Sequence, residues 1–385
     1  MKKDGNVFSA GSNRRDFLKH GAVAGAATLG VGLIGGGSRA FAQESDDRLT
    51  RGDVAILRFL AAAELIESDL WIQYAELGGL TPGQLPLETL QTPPLNSYQN
   101  AFLNLDGDGP QYISSNTLDE ISHANFLNAY LESKGAEPVS LKAFEILSGS
   151  TATGSSGKLR LTNLMHLNVD TSWFIRYRST TNPDFGATFP QTVTITNRTA
   201  IPTSDNDLNS PNNPNHIQVI ANTAAFHFGM IEQGGSSLYQ ALGRKVSSLE
   251  VLKITQAIGG DEIAHFLEWV DFAGNGVQQP IAPVADSGLT FPDFFAPVNP
   301  NQPASASNPN NPLIQPSLIF PVPCEFISPK LPHCAVIRPT DDRFAGAAAA
   351  IASLTADGLF LGQSKEFFRV VNQLAEEADA ARREF

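Results

Sequence analysis

One pentapeptide occurs twice in this chain, and no other feature constrains the fold as much. Asp119-Glu120-Ile121-Ser122-His123 returns as Asp261-Glu262-Ile263-Ala264-His265, with one small residue exchanged for another. On an α-helix, residues three apart differ by about 60° in direction and about 4.5 Å in height, so a Glu-x-x-His pair aims a carboxylate and an imidazole at one point. Each copy is a chelating unit, and two copies suffice for two metal ions.

Hydrophobic periodicity places the copies on helices expected at 112–134 and 248–272, with two more long helices at 54–77 and 216–242. On the first of the four, Leu57, Leu60, Ala61, Trp71 and Ala75 fall within about 60° of Glu64, while Arg58, Asp69 and Gln73 lie opposite. A carboxylate centred on an apolar stripe costs several kcal/mol unless an ion or partner satisfies it. Glu67, at the edge of the same face, is the second candidate. Glu232 sits between Ala225, Phe228, Ser236 and Tyr239, and a small residue and an aromatic follow both lone acids at matched offsets: Ser68 and Trp71 after Glu64, Ser236 and Tyr239 after Glu232. His227 points about 140° away from Glu232 and is not read as a ligand. His166 and His216 are expected to be surface or structural residues.

Glu120 and His123 share a stripe with Leu127 and Leu131, and Glu262 and His265 share one with Ile258 and Trp269. In chain order the acids and imidazoles of the buried faces read Glu64, Glu120 with His123, Glu232, and Glu262 with His265. That is the ligand set of a dinuclear centre in a four-helix bundle. Hard carboxylate oxygens with one imidazole per ion suit two iron or manganese ions better than zinc or copper. Four buried carboxylates would repel one another without a cation, which gives their burial a reason.

The 385 residues, 42% of them hydrophobic, are ample for a large core. The formal charge is −13, and the first 42 residues carry six Lys and Arg against two Asp, so the rest is more acidic still. Nucleic acid and anionic membranes are poor partners for such a chain. Asn13-Arg14-Arg15-Asp16-Phe17-Leu18-Lys19, an apolar run from Gly21 to Gly37, and Ala40-Phe41-Ala42 together resemble a twin-arginine export signal over 1–42, cleaved after Ala42. The mature protein is then expected in the periplasm or outside the cell, with no stable membrane insertion after cleavage. Export after folding lets a protein capture its metal before it leaves the cytoplasm. Cys324 and Cys334, the only cysteines, are read as one disulfide in that oxidising compartment. A thiolate metal pair with His333 is the less favoured alternative.

Between the second and third long helices runs a crossover insertion, in which 159–177 is expected to be helical in part and Gln191 to Thr196 alternates like a short strand. The Pro/Asn-rich stretch 273–340 is expected to be irregular, and 341–385 to form two helices that pack on the bundle or on another subunit, the latter giving a homo-oligomer.

The region 54–272 resembles the ferritin-like superfamily. The exported form with long inserts is similar to the bacterial and plant desiccation-related ferritin-like proteins. The fold so implied is all-α: a ferritin-like four-helix bundle with a long crossover and an irregular extension ending in two helices. By that resemblance Glu64 and Glu232 would each bind one ion, Glu120 and Glu262 would bridge the pair, and His123 and His265 would be terminal ligands. The Asp-Glu-x-x-His form also resembles the di-iron monooxygenases and the ribonucleotide reductase small subunit, which implies that Asp119 supports His265 and Asp261 supports His123. Gly234-Gly235 and Gly259-Gly260 depart from the pattern and are expected to loosen the second pair of helices. Two functions follow as expectations. One is redox chemistry with peroxide or dioxygen, as an oxidase, peroxidase or manganese-catalase-like enzyme; the other is a non-enzymatic stress-related or metal-sequestering role.

Overall fold

The computed structural model describes residues 49–78, 96–104, 107, 109–170, 194–208, 216–272, 285–286, 289–290, 321–322, 327–328, 330–335 and 345–384. The leader at 1–42, Cys324 and most of 273–340 lie outside these residues. The described chain is predominantly helical. Four long helices, α1 (Arg51–Leu77), α2 (Gly109–Ser133), α3 (His216–Gly243) and α4 (Leu249–Asp271), are followed by the shorter α5 (Ala347–Ala356) and α6 (Lys365–Ala380).

Helix ends follow local chemistry. The Thr50 side chain accepts from the Asp53 amide at 3.0 Å and starts α1 ahead of the expected Val54. The buried Asp53 carboxylate then accepts from the Ser247 and Ser248 amides at 2.8 and 3.1 Å, joining the start of α1 to the start of α4. α2 stops at Gly135, whose φ of 71° suits a residue without Cβ, and the Ala136 amide turns back to the Leu131 carbonyl at 2.9 Å.

α1 lies along α2 and α3 along α4, and all four contribute to one buried core. At its centre Trp71 of α1 stacks on Trp269 of α4 with ring centroids 5.4 Å apart, and Phe228 of α3 meets both at 5.1 and 4.7 Å. α3 is buried almost throughout, because α5 and the crossover cover the side that a surface helix would leave wet.

The crossover differs from expectation. Over its described part 159–170 holds two short strands and no helix: Leu159–Arg160 (β2) pairs with Leu147–Ser148 (β1), and Leu167–Asp170 (β3) pairs with Thr194–Arg198 (β4), both antiparallel. Leu167 and Val169 face the core while Asn168 and Asp170 do not, a period of two that the sequence window blurs. The insertion lies on the face of α1 opposite its apolar stripe. Asp69 accepts from the Leu161 and Thr162 amides at 3.1 and 2.8 Å, and buried Glu76 pairs with Arg160. Two further antiparallel pairs, Ala285–Asp286 (β5) with Leu289–Thr290 (β6) and Pro321–Val322 (β7) with Cys334–Ala335 (β8), fall in the Pro/Asn-rich stretch. The terminal helices pack on the same chain, where the Asp379 carboxylate of α6 accepts from the Ala347 and Ala348 amides at 2.9 Å each and so caps α5.

Candidate metal centre

Glu64 (α1), Glu120 and His123 (α2), Glu232 (α3), and Glu262 and His265 (α4) converge inside the four long helices, none more than 7% exposed. Both imidazoles turn Nδ1 inward. His123 Nδ1 lies 3.4 Å from Glu64 Oε2, 3.5 Å from Glu120 Oε2 and 3.6 Å from Glu262 Oε1. His265 Nδ1 lies 3.0 Å from Glu120 Oε1 and 3.4 Å from Glu232 Oε2. Glu120 thus gives one oxygen to each histidine. Two groups of donor atoms result around the inward nitrogens, Glu64/Glu120/His123/Glu262 and Glu120/Glu232/His265, each with its atoms within 4.8 Å of one another, and a third, Asp119/Asp261/His265, gathers at the outer Nε2 of His265. Glu120 belongs to both inward groups and Glu262 to the first alone.

The spacing fits a cation. Two donors each about 2.1 Å from one ion, at angles of about 90–120°, stand about 3.0–3.6 Å apart, which is the range found here. Most of the atoms that would meet such ions are left without a hydrogen bond: Glu64 Oε2, Glu120 Oε2, His123 Nδ1, Glu232 Oε2 and both oxygens of Glu262, while Glu120 Oε1 and His265 Nδ1 face Asn116 Nδ2 at 3.0 and 3.5 Å. Buried polar atoms are rarely orphaned, and six of the thirteen such side-chain atoms among the described residues gather here.

Neighbouring side chains hold other atoms of the same groups, and one oxygen that also faces an imidazole. Tyr239 donates its hydroxyl to Glu64 Oε1. Asn116 donates to Glu120 Oε1 at 3.0 Å and to Glu232 Oε1 at 3.1 Å, and its own carbonyl is fixed by Trp269 Nε1 at 2.6 Å. His123 Nε2 sits 3.2 Å from Asp261 Oδ2, and His265 Nε2 sits 3.4 Å from Asp119 Oδ2. Each histidine therefore meets the aspartate of the opposite copy. A proton held on Nε2 by the carboxylate leaves Nδ1 as the coordinating nitrogen.

Without a cation, the charges crowd. Burial pushes the Glu64 carboxyl up to about 7, and burial with the charges of Glu120 and Glu67 holds Glu262 well above the usual carboxylate range. Burial opposes the charged form of His123, but the carboxylates of Glu120 and Glu64 outweigh it and raise the imidazole to about 10. His265 is raised as well, by Glu232 and Asp119 against the same burial. The cluster holds protons where a metal ion would put positive charge.

Other candidates fall elsewhere. Glu67 keeps a buried, unpartnered Oε2 and is pushed well up by burial and by Glu120, Glu64 and Glu232, yet it joins none of the donor groups. His227 is buried and hydrogen-bonded to Tyr74 at 2.6 Å, and burial depresses it to about 3. His166 is exposed, and His216 lies 3.6 Å from Asp207. Cys334 is exposed on β8, while the partner expected for it, Cys324, lies outside the described residues. Asn116 escaped the sequence reading; the available signal was a polar residue one turn before Glu120 on an otherwise apolar face.

The glycines do not loosen the second pair of helices. α3 runs unbroken through Gly234-Gly235, and a Cβ on Gly235 would stand 2.1 Å from Glu262 Oε2. One on Gly259 would stand 2.7 Å from Tyr239 Cβ. Both positions bring α3 and α4 into close approach.

Residues 11–30 match the model of the twin-arginine translocation (TAT) pathway signal sequence. The chain is therefore exported across the membrane by that pathway, to the periplasm or beyond. No curated protein and no solved structure matches it. Among the described residues no helix is long and apolar enough to cross a membrane.

Proposed function

We propose that this exported protein is a ferritin-like four-helix bundle whose two Glu-x-x-His units and two lone glutamates hold two iron or manganese ions that react with dioxygen or peroxide. One observation carries the reading: a single carboxylate, Glu120, is shared between two inward-facing imidazoles, and the unpartnered oxygens cluster around them. Such a centre, when loaded, supplies electrons to a bound oxidant. The protein's part is to position and insulate. Tyr239 holds Glu64 Oε1, Asn116 holds the Oε1 atoms of Glu120 and Glu232, Asp119 and Asp261 orient the imidazoles, and Trp71, Trp269 and Phe228 pack together alongside.

The test is metal analysis of protein exported by a twin-arginine-competent host, followed by oxidant consumption. About two ions per chain are expected. Fewer than one transition metal per chain would reject the reading, while bound metal with neither oxidant consumed would leave the non-enzymatic, metal-sequestering role.

A further inference from the structure

We propose that a small apolar cavity between α1, α3 and α5 is the binding and entry site for dioxygen, and that α5 belongs to the site because it forms the outer wall. The proposal rests on the metal-centre reading above. The cavity measures about 30 Å³ and is walled by Phe59 and Leu70 of α1, Ile231 and Leu238 of α3, and Ala350 and Ile351 of α5. That is room for a molecule of about the size of water.

The lining decides which molecule. A trapped water needs about two to four polar partners, and Glu67 is the sole polar side chain on these walls. Hydrogen peroxide could place its O–H groups only on the Glu67 carboxyl and would leave acceptor lone pairs of its own unmet, at about 1–3 kcal/mol for each unmade bond. Dioxygen has no hydrogen bonds to lose. Of the two oxidants considered for the centre, the walls select dioxygen.

The cavity also ends in the right place. Gly235 lines it, and a Cβ there would meet Glu262 Oε2 at 2.1 Å, so the cavity and that carboxylate adjoin the same side-chain-free position of α3. Both Glu262 oxygens lack a hydrogen-bond partner, whereas Glu64, Glu120 and Glu232 each have one oxygen held. The outer wall is fixed rather than loose, since Asp379 caps α5 through the Ala347 and Ala348 amides at 2.9 Å each.

Xenon, an apolar probe for dry cavities of this kind, tests the binding without any metal. Xenon-pressurised crystals of the full chain are expected to show xenon against Ala350 and Ile351, and Ala350→Leu is expected to exclude it. Iron(II)-loaded protein is then mixed with dioxygen or, separately, with hydrogen peroxide. Ala350→Leu should slow oxidation by dioxygen by about tenfold or more and leave that by peroxide within about twofold. Leu354→Phe, which narrows the same wall, should act alike, so that misfolding of one variant leaves the other to decide. A wild-type cavity without xenon overturns the proposal, and so does a variant that excludes xenon yet reacts with dioxygen at the wild-type rate. Metal analysis before mixing separates that failure from failure of the metal reading, because a chain without iron can still bind xenon.

Discussion

The two halves of the centre repeat in sequence but not in surroundings. In the half built on α1 and α2, Asn116 lies four residues before Glu120 and ties it to Glu232. The matching position before Glu262 is Ile258, which has no hydrogen bond to offer. Three residues after Glu64 comes Glu67, a buried acid; three after Glu232 comes Gly235, which gives up its side chain to make room for Glu262. Each half also depends on the other, since Tyr239 of α3 holds Glu64 and Asn116 of α2 holds Glu232. One carboxylate of the repeated pair is thus clamped between helices and the other stands unclamped beside a cavity.

The most drastic way to break that asymmetry is to remove the shared carboxylate. Glu120→Ala is expected to lose both ions, because both inward donor groups use Glu120, whereas Glu262→Ala should keep the one bound by Glu120, Glu232 and His265. Metal content per chain reads the difference, and equal losses would erase the distinction between the halves.

Proton linkage comes next, in protein stripped of metal. The Glu64 carboxyl, raised by burial from 4.5 to about 7, adds stability that fades as pH rises through that interval. His123, raised from 6.5 to about 10, adds stability present below 6.5 and lost on rising towards 10. His227, depressed by burial to about 3, works in the other direction but only below 6.5. Between pH 6.5 and 10 the metal-free protein should therefore lose on the order of a few kcal/mol, with denaturant midpoints as the measure. Bound metal should flatten the profile by replacing the protons.

Smaller effects sharpen the comparison. Asn116→Ala should weaken metal binding by about ten- to a hundredfold through loss of the clamp on Glu120 and Glu232, as read by competition with a chelator. Ile258→Ala, at the matching position, should leave affinity nearly unchanged. Gly235→Ala should cost roughly 1–3 kcal/mol of thermal stability, because the new methyl must displace Glu262. Gly260→Ala, on the exposed side of α4 with nothing within 4 Å of its Cβ, should instead gain roughly 0.5–1 kcal/mol.

The local part of this molecule was legible from residues alone. Helical periodicity is a property of neighbours three and four apart, so α1 to α4, the stripes that carry Glu64 and Glu232, and the common aim of each Glu-x-x-His pair could be read without coordinates. Twin-arginine export is a short linear signal and was legible for the same reason. The strands at 159–170 were not, because their pairing partners include residues as distant as Thr194–Arg198. Tertiary structure alone decided that Glu64 rather than Glu67 meets His123, that Asn116 joins Glu120 to Glu232, and that Gly235 brings helices together where it was expected to loosen them. It also decided that α5 walls a cavity lined by Gly235, the residue that adjoins Glu262. Each of these depends on the rotation and separation of helices packed side by side, set by every side chain in the shared core and by no stretch of sequence in isolation.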